Sequence, residues 1–137
     1  MSESTNEHVS RRVGVHEALG IEVVEATPER VIVRVEVTDR VHQPYGILHG
    51  GVSALLAESA ASIGGATAAG PGKLVVGTEL NCSHLRSMSS GVLTATAIPI
   101  RVGRTIHVWN IDLTDEAGRL ICVSRCSLAI RDVPVES

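Results

Sequence analysis

Between Arg40 and Lys73 the chain carries one Asp, Glu, Lys or Arg, Glu58, in a run otherwise dominated by alanine, glycine, serine and branched aliphatics. Val52, Leu55, Leu56, Ser59 and Ile63 recur there at helical spacing, with alanines filling most positions between them. The spacing predicts a helix that starts at Gly50-Gly51, runs through 52–61 and is apolar nearly all round. Such a helix belongs in the middle of a domain rather than on its surface. Gly64-Gly65 is expected to weaken its end, and Gly70-Pro71-Gly72 stops any continuation.

The rest of the chain supplies strands to cover it. Val31, Val33, Val35 and Val37 alternate with Arg30, Ile32, Arg34 and Glu36, the period of a strand with one buried face. Ile21, Val23 and Val24 precede it across a Thr27-Pro28-Glu29 turn, which makes a hairpin. Before them, 16–19 reads as a helical turn ended by Gly20. After the helix, 74–85, 92–102, 105–113 and 119–131 read as strands, the last two joined by an Asp115-Glu116-Ala117-Gly118 turn. With one Trp, one Tyr and no Phe, the core rests on Val, Ile, Leu and Ala. Two strands, a buried helix and four strands fit an α+β fold, a helix wrapped by an antiparallel sheet. The 137 residues suffice for one domain, 13–133, behind a polar tail, 1–12.

Composition removes several classes of function. A net charge of −3 gives no pull toward nucleic acid or an anionic membrane. The helix contains a carboxylate and is too rich in alanine and glycine for a membrane span. The tail lacks the apolar stretch of a signal peptide, and Cys82, Cys122 and Cys126 read as reduced thiols, so a cytoplasmic protein is expected. Cys122 and Cys126 share a strand face, but further ligands at metal spacing are not evident, and no metal is expected. Phosphate-loop and dinucleotide fingerprints are missing, and no cofactor is expected. Gly51-Val52-Ser53 lacks the closing glycine of a serine nucleophile elbow.

Glu58 is the first candidate for chemistry. A lone carboxylate in an apolar helix fits either a water-facing side or a reaction site. Its companions at helical spacing, Ala54, Leu55 and Ser62, do not resemble a solvated face. Gly50 and Gly51 leave backbone N–H groups open at the helix start, a candidate oxyanion hole. Glu58 follows about two turns later, so a carbonyl held at the helix start is expected near it. His49 and Gln43 flank that start and offer hydrogen bonds. His84, Arg86, Arg101 and Arg104 lie in or beside strand ends, a pattern that fits either convergence on a phosphate or ordinary solvated surface charge.

These residues together carry a resemblance. Gln43-Pro44-Tyr45-Gly46-Ile47-Leu48-His49-Gly50-Gly51 followed by Ala57-Glu58-Ser59 resembles the hot-dog thioesterases of the glutamate-dependent 4-hydroxybenzoyl-CoA group. Gly77-Thr78-Glu79-Leu80-Asn81, His84-Leu85-Arg86-Ser87, Val108-Trp109 and the run from Asp115 to Leu120 extend the likeness, which spans about 13–131. Within the group it runs nearest to the 1,4-dihydroxy-2-naphthoyl-CoA hydrolases of menaquinone synthesis. The resemblance implies an acyl-CoA substrate, with Glu58 as nucleophile or general base and the Gly50 amide polarising the thioester carbonyl. Gln43 and His49 would orient the thioester or water, and Ser62 would be the small hydroxyl a turn after Glu58. Gly77, His84, Leu85, Arg86, Ser87, Arg101, Val102, Gly103, Arg104, Thr105 and Ile106 would hold the CoA moiety. Tyr45, standing where relatives carry Phe, would line an acyl pocket with Ala54 and Ala61. The resemblance further implies dimers that join as tetramers, with active sites between subunits. A non-catalytic acyl-CoA-binding module on this fold and a broad-range medium-chain thioesterase are the alternatives.

Overall fold

The structure, a computed structural model, describes residues 14–134; the expected tail lies outside the described residues. In chain order the elements are α1 (Val15–Leu19), β1 (Glu22–Ala26), β2 (Val31–Glu36), a 3-10 turn (Asp39–Val41), α2 (Gly50–Ala69), β3 (Lys73–His84), β4 (Val92–Val102), β5 (Ile106–Thr114) and β6 (Leu120–Asp132). The six strands form one antiparallel sheet in the order β1-β2-β4-β5-β6-β3. It curls around α2, which contacts every strand. This is the α+β architecture expected from the sequence, with the strands within a residue or two of their expected limits.

Alternation decides what the sheet buries. Val31, Val33 and Val35 of β2, Leu93, Ala95 and Ala97 of β4 and Trp109, Ile111 and Leu113 of β5 all point at α2 and are fully or almost fully buried. The helix answers with Leu56, Ala57, Ala60, Ala61, Gly64 and Gly65.

The helix departs from the sequence reading in two ways. It runs through Gly64-Gly65 to Ala69. A Cβ at Gly64 would lie 2.5 Å from the Trp109 ring, and one at Gly65 would lie 2.6 Å from Leu128. Sheet side chains fill the space a Cβ would need at both glycines, and packing outweighs their poor helix propensity. Nor is α2 buried all round: Glu58 is exposed and Leu55, Ser59 and Ser62 are half-buried, a second face that the sheet leaves uncovered.

Strand β3 is an edge twelve residues long, with a bulge between Gly77 and Glu79. Leu74 and Val76 on it, and Ile98, Ile100, Val102 and Ile106 near the β4–β5 turn, are large apolar side chains left exposed.

Candidate active site

The segment before α2 is held by its own backbone. Gly46 has φ 79°, which glycine adopts without strain, and its N–H donates to the Gln43 carbonyl at 3.0 Å. The Gln43 N–H donates to the Ile47 carbonyl at 2.8 Å, the Leu48 N–H to Met88 at 2.8 Å and the His49 N–H to Val41 at 2.9 Å. The side-chain oxygen of Gln43 accepts from the Tyr45 N–H, which leaves its amide NH2 free to donate elsewhere.

His49 is the N-cap of α2, with Nδ1 accepting from the Gly51 N–H at 2.8 Å. That bond puts the ring proton on Nε2, a donor directed away from the helix. The Gly50 N–H is one of the opening amides without an acceptor inside the helix, at its positive end.

Two clefts among the described residues bear on these groups. The first, about 400 Å³, is lined by Gln43, Gly50, His84, Leu85, Arg86 and Ser87, with Ser53 and Ile121 among its walls. Residues 84–87 are brought there because β3 pairs with β6 and the Leu85 and Arg86 N–H groups both donate to Ile121. The His84 ring packs against Gly50, where a Cβ would come within 3.0 Å. The second cleft, about 280 Å³, holds Glu58 and Ser62 with His16, Leu55, Ser59 and Ile63. His16 Nε2 lies 2.8 Å from Ser59 Oγ, so α1 closes one side of it. The Glu58 carboxylate lies over Gly77, occupying the space a Cβ there would need.

Several sequence expectations change. Gly50 and Glu58 are eight residues apart on one helix, about 12 Å along its axis, so a single carbonyl cannot touch both within one chain. Gly77 makes room for the Glu58 carboxylate. Arg86 does not converge with Arg101 and Arg104. The first follows His84, opposite Cys122, whereas the β4–β5 turn lies beside Ala129, seven residues along β6 and about 24 Å away. Within that turn Gly103 donates to the Ile106 carbonyl, while Val102, Arg104 and Thr105 are exposed. Ala61 is not a pocket residue: it is fully buried on the sheet-facing side of α2. Ala54 is half-buried, and Tyr45 is 89% exposed and lines neither cleft. His16 and Ser59 were not foreseen, because 43 residues separate them and no spacing links them.

The cysteines are poor nucleophiles. Burial, reinforced by the adjacent Cys82, pushes the Cys122 thiol up to about 12. Burial, with the Glu58 and Glu79 charges nearby, pushes Cys126 up to about 11. That leaves the solvent-facing Glu58 carboxylate and the Gly50 amide at the helix start as the groups whose chemistry suits acyl transfer.

With this geometry in view, the comparisons define the class: the family model of the thioesterase superfamily matches residues 45–122, and the chain belongs to that superfamily, with its hot-dog fold. It is an enzyme, a thioester hydrolase. The chain is similar to the 1,4-dihydroxy-2-naphthoyl-CoA hydrolase of Listeria monocytogenes, 48% identical over 119 residues that cover 87% of this chain and 97% of that one. A thioesterase from Haemophilus influenzae superposes with a TM-score of 0.88 at 39% identity, over 99% of this chain and 94% of that one. A thioesterase from Staphylococcus aureus, solved as a glutamate-to-alanine mutant and as a glutamine-to-alanine mutant, superposes with TM-scores of 0.85 and 0.82 at 35% identity. Those alignments cover 88% and 85% of this chain and 100% and 97% of the mutants. The two mutated positions are 15 residues apart in that protein, the spacing of Gln43 and Glu58 here. Among the described residues no helix is long and apolar enough to cross a membrane.

Proposed function

We propose that the protein hydrolyses CoA thioesters of aromatic acids, with 1,4-dihydroxy-2-naphthoyl-CoA the first substrate to test and hydroxybenzoyl-CoA the second. The observation that carries this reading is Glu58 itself, a carboxylate on an otherwise uncharged helix, seated over Gly77 in an open cleft. The spacing it shares with the mutated pair of the Staphylococcus aureus enzyme, and the name of the Listeria relative, support it.

The thioester carbonyl accepts a hydrogen bond from the Gly50 N–H, which stabilises the oxyanion that forms as the carbonyl carbon becomes tetrahedral. Glu58 either attacks that carbon or takes a proton from the attacking water. The C–S bond then breaks, CoA leaves as its thiol, and water supplies the second oxygen of the free acid. The Gln43 amide and His49 Nε2–H orient the thioester or the water, and Ser62 holds the carboxylate. Because Gly50 and Glu58 of one chain stand about 12 Å apart, the Glu58 that serves a given Gly50 comes from a second chain. The long exposed edge of β3, beside Glu58, is the place for that pairing, and pairs would assemble into tetramers. Arg86, with His84, Leu85 and Ser87, contacts the CoA of one chain's site. Arg101, Val102, Gly103, Arg104, Thr105 and Ile106 reach CoA only across a subunit boundary. Three free cysteines suit a reducing compartment, the cytoplasm.

The test is thiol release from hydroxynaphthoyl-, hydroxybenzoyl-, benzoyl- and medium-chain aliphatic CoA esters. The reading expects the highest kcat/KM on the hydroxylated aromatic esters. A preference of about tenfold or more for the aliphatic series would overturn the substrate and favour a broad-range thioesterase. No thiol release from any ester would favour an acyl-CoA-binding module.

A further inference from the structure

A set of soft donors stands apart from Glu58. Cys82 and His84 are two residues apart on β3, so both side chains leave the same face of the sheet. Antiparallel pairing with β6 puts Cys122 opposite His84 and Ser124 opposite Cys82. One ligand atom from each of Cys82, His84 and Cys122 lies within 4.8 Å of the other two. A tetrahedral zinc ion held at about 2.3 Å by sulfur and about 2.0 Å by nitrogen needs donor separations of about 3.5–3.8 Å. Small side-chain rotations close that difference, and the paired strands hold the three donors in place. Spacing along the chain links Cys122 only with Cys126, four residues on along the same strand face. The partner lies across the ladder, on β3.

One of the three donors borders a cleft. His84 forms a wall of the cleft that contains Gln43 and Gly50. The Ser53 hydroxyl lines the same cleft, is 1% exposed and has no hydrogen-bond partner among the described residues. A water carried on a metal ion at this wall is the kind of polar neighbour that hydroxyl lacks.

We propose that Cys82, His84 and Cys122 form a binding site for one zinc ion, with three protein ligands and a fourth position open to the cleft. Each thiol gives its proton to solvent on binding, and the two thiolates balance the dication. The imidazole binds as the neutral base. The site lies apart from Glu58 but borders the cleft in which His84 is proposed to meet CoA, and it does not depend on which thioester is cleaved.

The experiment uses the whole reduced chain, kept under a phosphine reductant without air, and titrates it with Co2+ as a spectroscopic stand-in for zinc. Thiolate-to-cobalt charge transfer in the near ultraviolet is expected to saturate at one ion per chain and to vanish when Zn2+ is added. Cys126→Ser is expected to titrate as wild type does. Cys82→Ser, on an edge strand and only half-buried, is expected to keep the fold by circular dichroism. It should bind at least about tenfold more weakly, with about half the charge-transfer intensity, because one thiolate of two is gone. His84→Ala should keep the charge transfer at reduced affinity. An absent band in the wild-type protein, an unchanged titration in Cys82→Ser, or a loss as large in Cys126→Ser would overturn the proposal.

Discussion

A carboxylate among alanines costs α2 little, because Glu58 faces solvent in the single chain. Surface substitutions of this kind shift stability by about half a kcal/mol at most. Glu58→Ala and Glu58→Gln are thus expected to unfold at the wild-type urea midpoint while thioester turnover falls by at least about a hundredfold. Turnover near wild type in Glu58→Ala would remove it from the chemistry. Gly77 offers a finer test. The atom a new Cβ would meet is the far end of the flexible Glu58 side chain, so Gly77→Ala should fold normally and push the carboxylate aside. A displacement of about an ångström is worth up to about a hundredfold in rate, and kcat is expected to fall with KM little changed. An unchanged kcat would mean that the carboxylate works elsewhere than over Gly77. Glu58 was legible in the sequence because a charge in an apolar run stands out. The neighbours that shape its cleft were not, since His16 arrives from α1 and Gly77 from β3, and only the folded sheet brings them there.

At the scale of elements, alternation and helical period located the strands and α2, but two glycines misled about where α2 ends. Propensity favours alanine over glycine in a helix by about 1 kcal/mol, whereas forcing a methyl into a filled core costs about 1–3 kcal/mol. At Gly64 the methyl would meet the fully buried Trp109 at 2.5 Å, so packing wins. Gly64→Ala is expected to lower the urea midpoint, and a rise would show that the Trp109 ring has room to move. Strand β5 carries a second buried constraint, His107. Burial pushes its imidazole below the usual histidine range, against a smaller opposing effect of a hydrogen bond to the Gly103 backbone. The unfolded chain therefore takes the proton first, near about pH 6.5. The neutral ring's contribution is present above that value and is lost as the pH falls below it. Unfolding free energy measured between about pH 7.5 and 5.5 should decline less steeply in His107→Gln than in wild type. Equal slopes would mean that His107 keeps its proton equally well in both states.

Over the whole molecule, the sequence was informative about the sheet and the helix and poor on distances. Period and turn residues report which side chains share a face. They do not report that Arg86 and the 101–106 turn sit at opposite ends of β6, or that the helix start and Glu58 open into different clefts. Both separations come from strand order, β6 lying between β5 and β3, which no local pattern encodes. The proposed pairing of two chains along β3, each lending its Glu58 cleft to the other's helix start, would resolve both. The direct measurement is complementation. Gln43→Ala and Glu58→Ala proteins, each inactive alone, are mixed in equal amounts, allowed to exchange subunits, and assayed for thiol release. If a site draws Gln43 and Glu58 from different chains, half the pairs are mixed and each holds one intact site, so activity should return to about a quarter of wild type. No recovery after subunit exchange has been verified, or full wild-type activity in a monomer, would contradict the shared site.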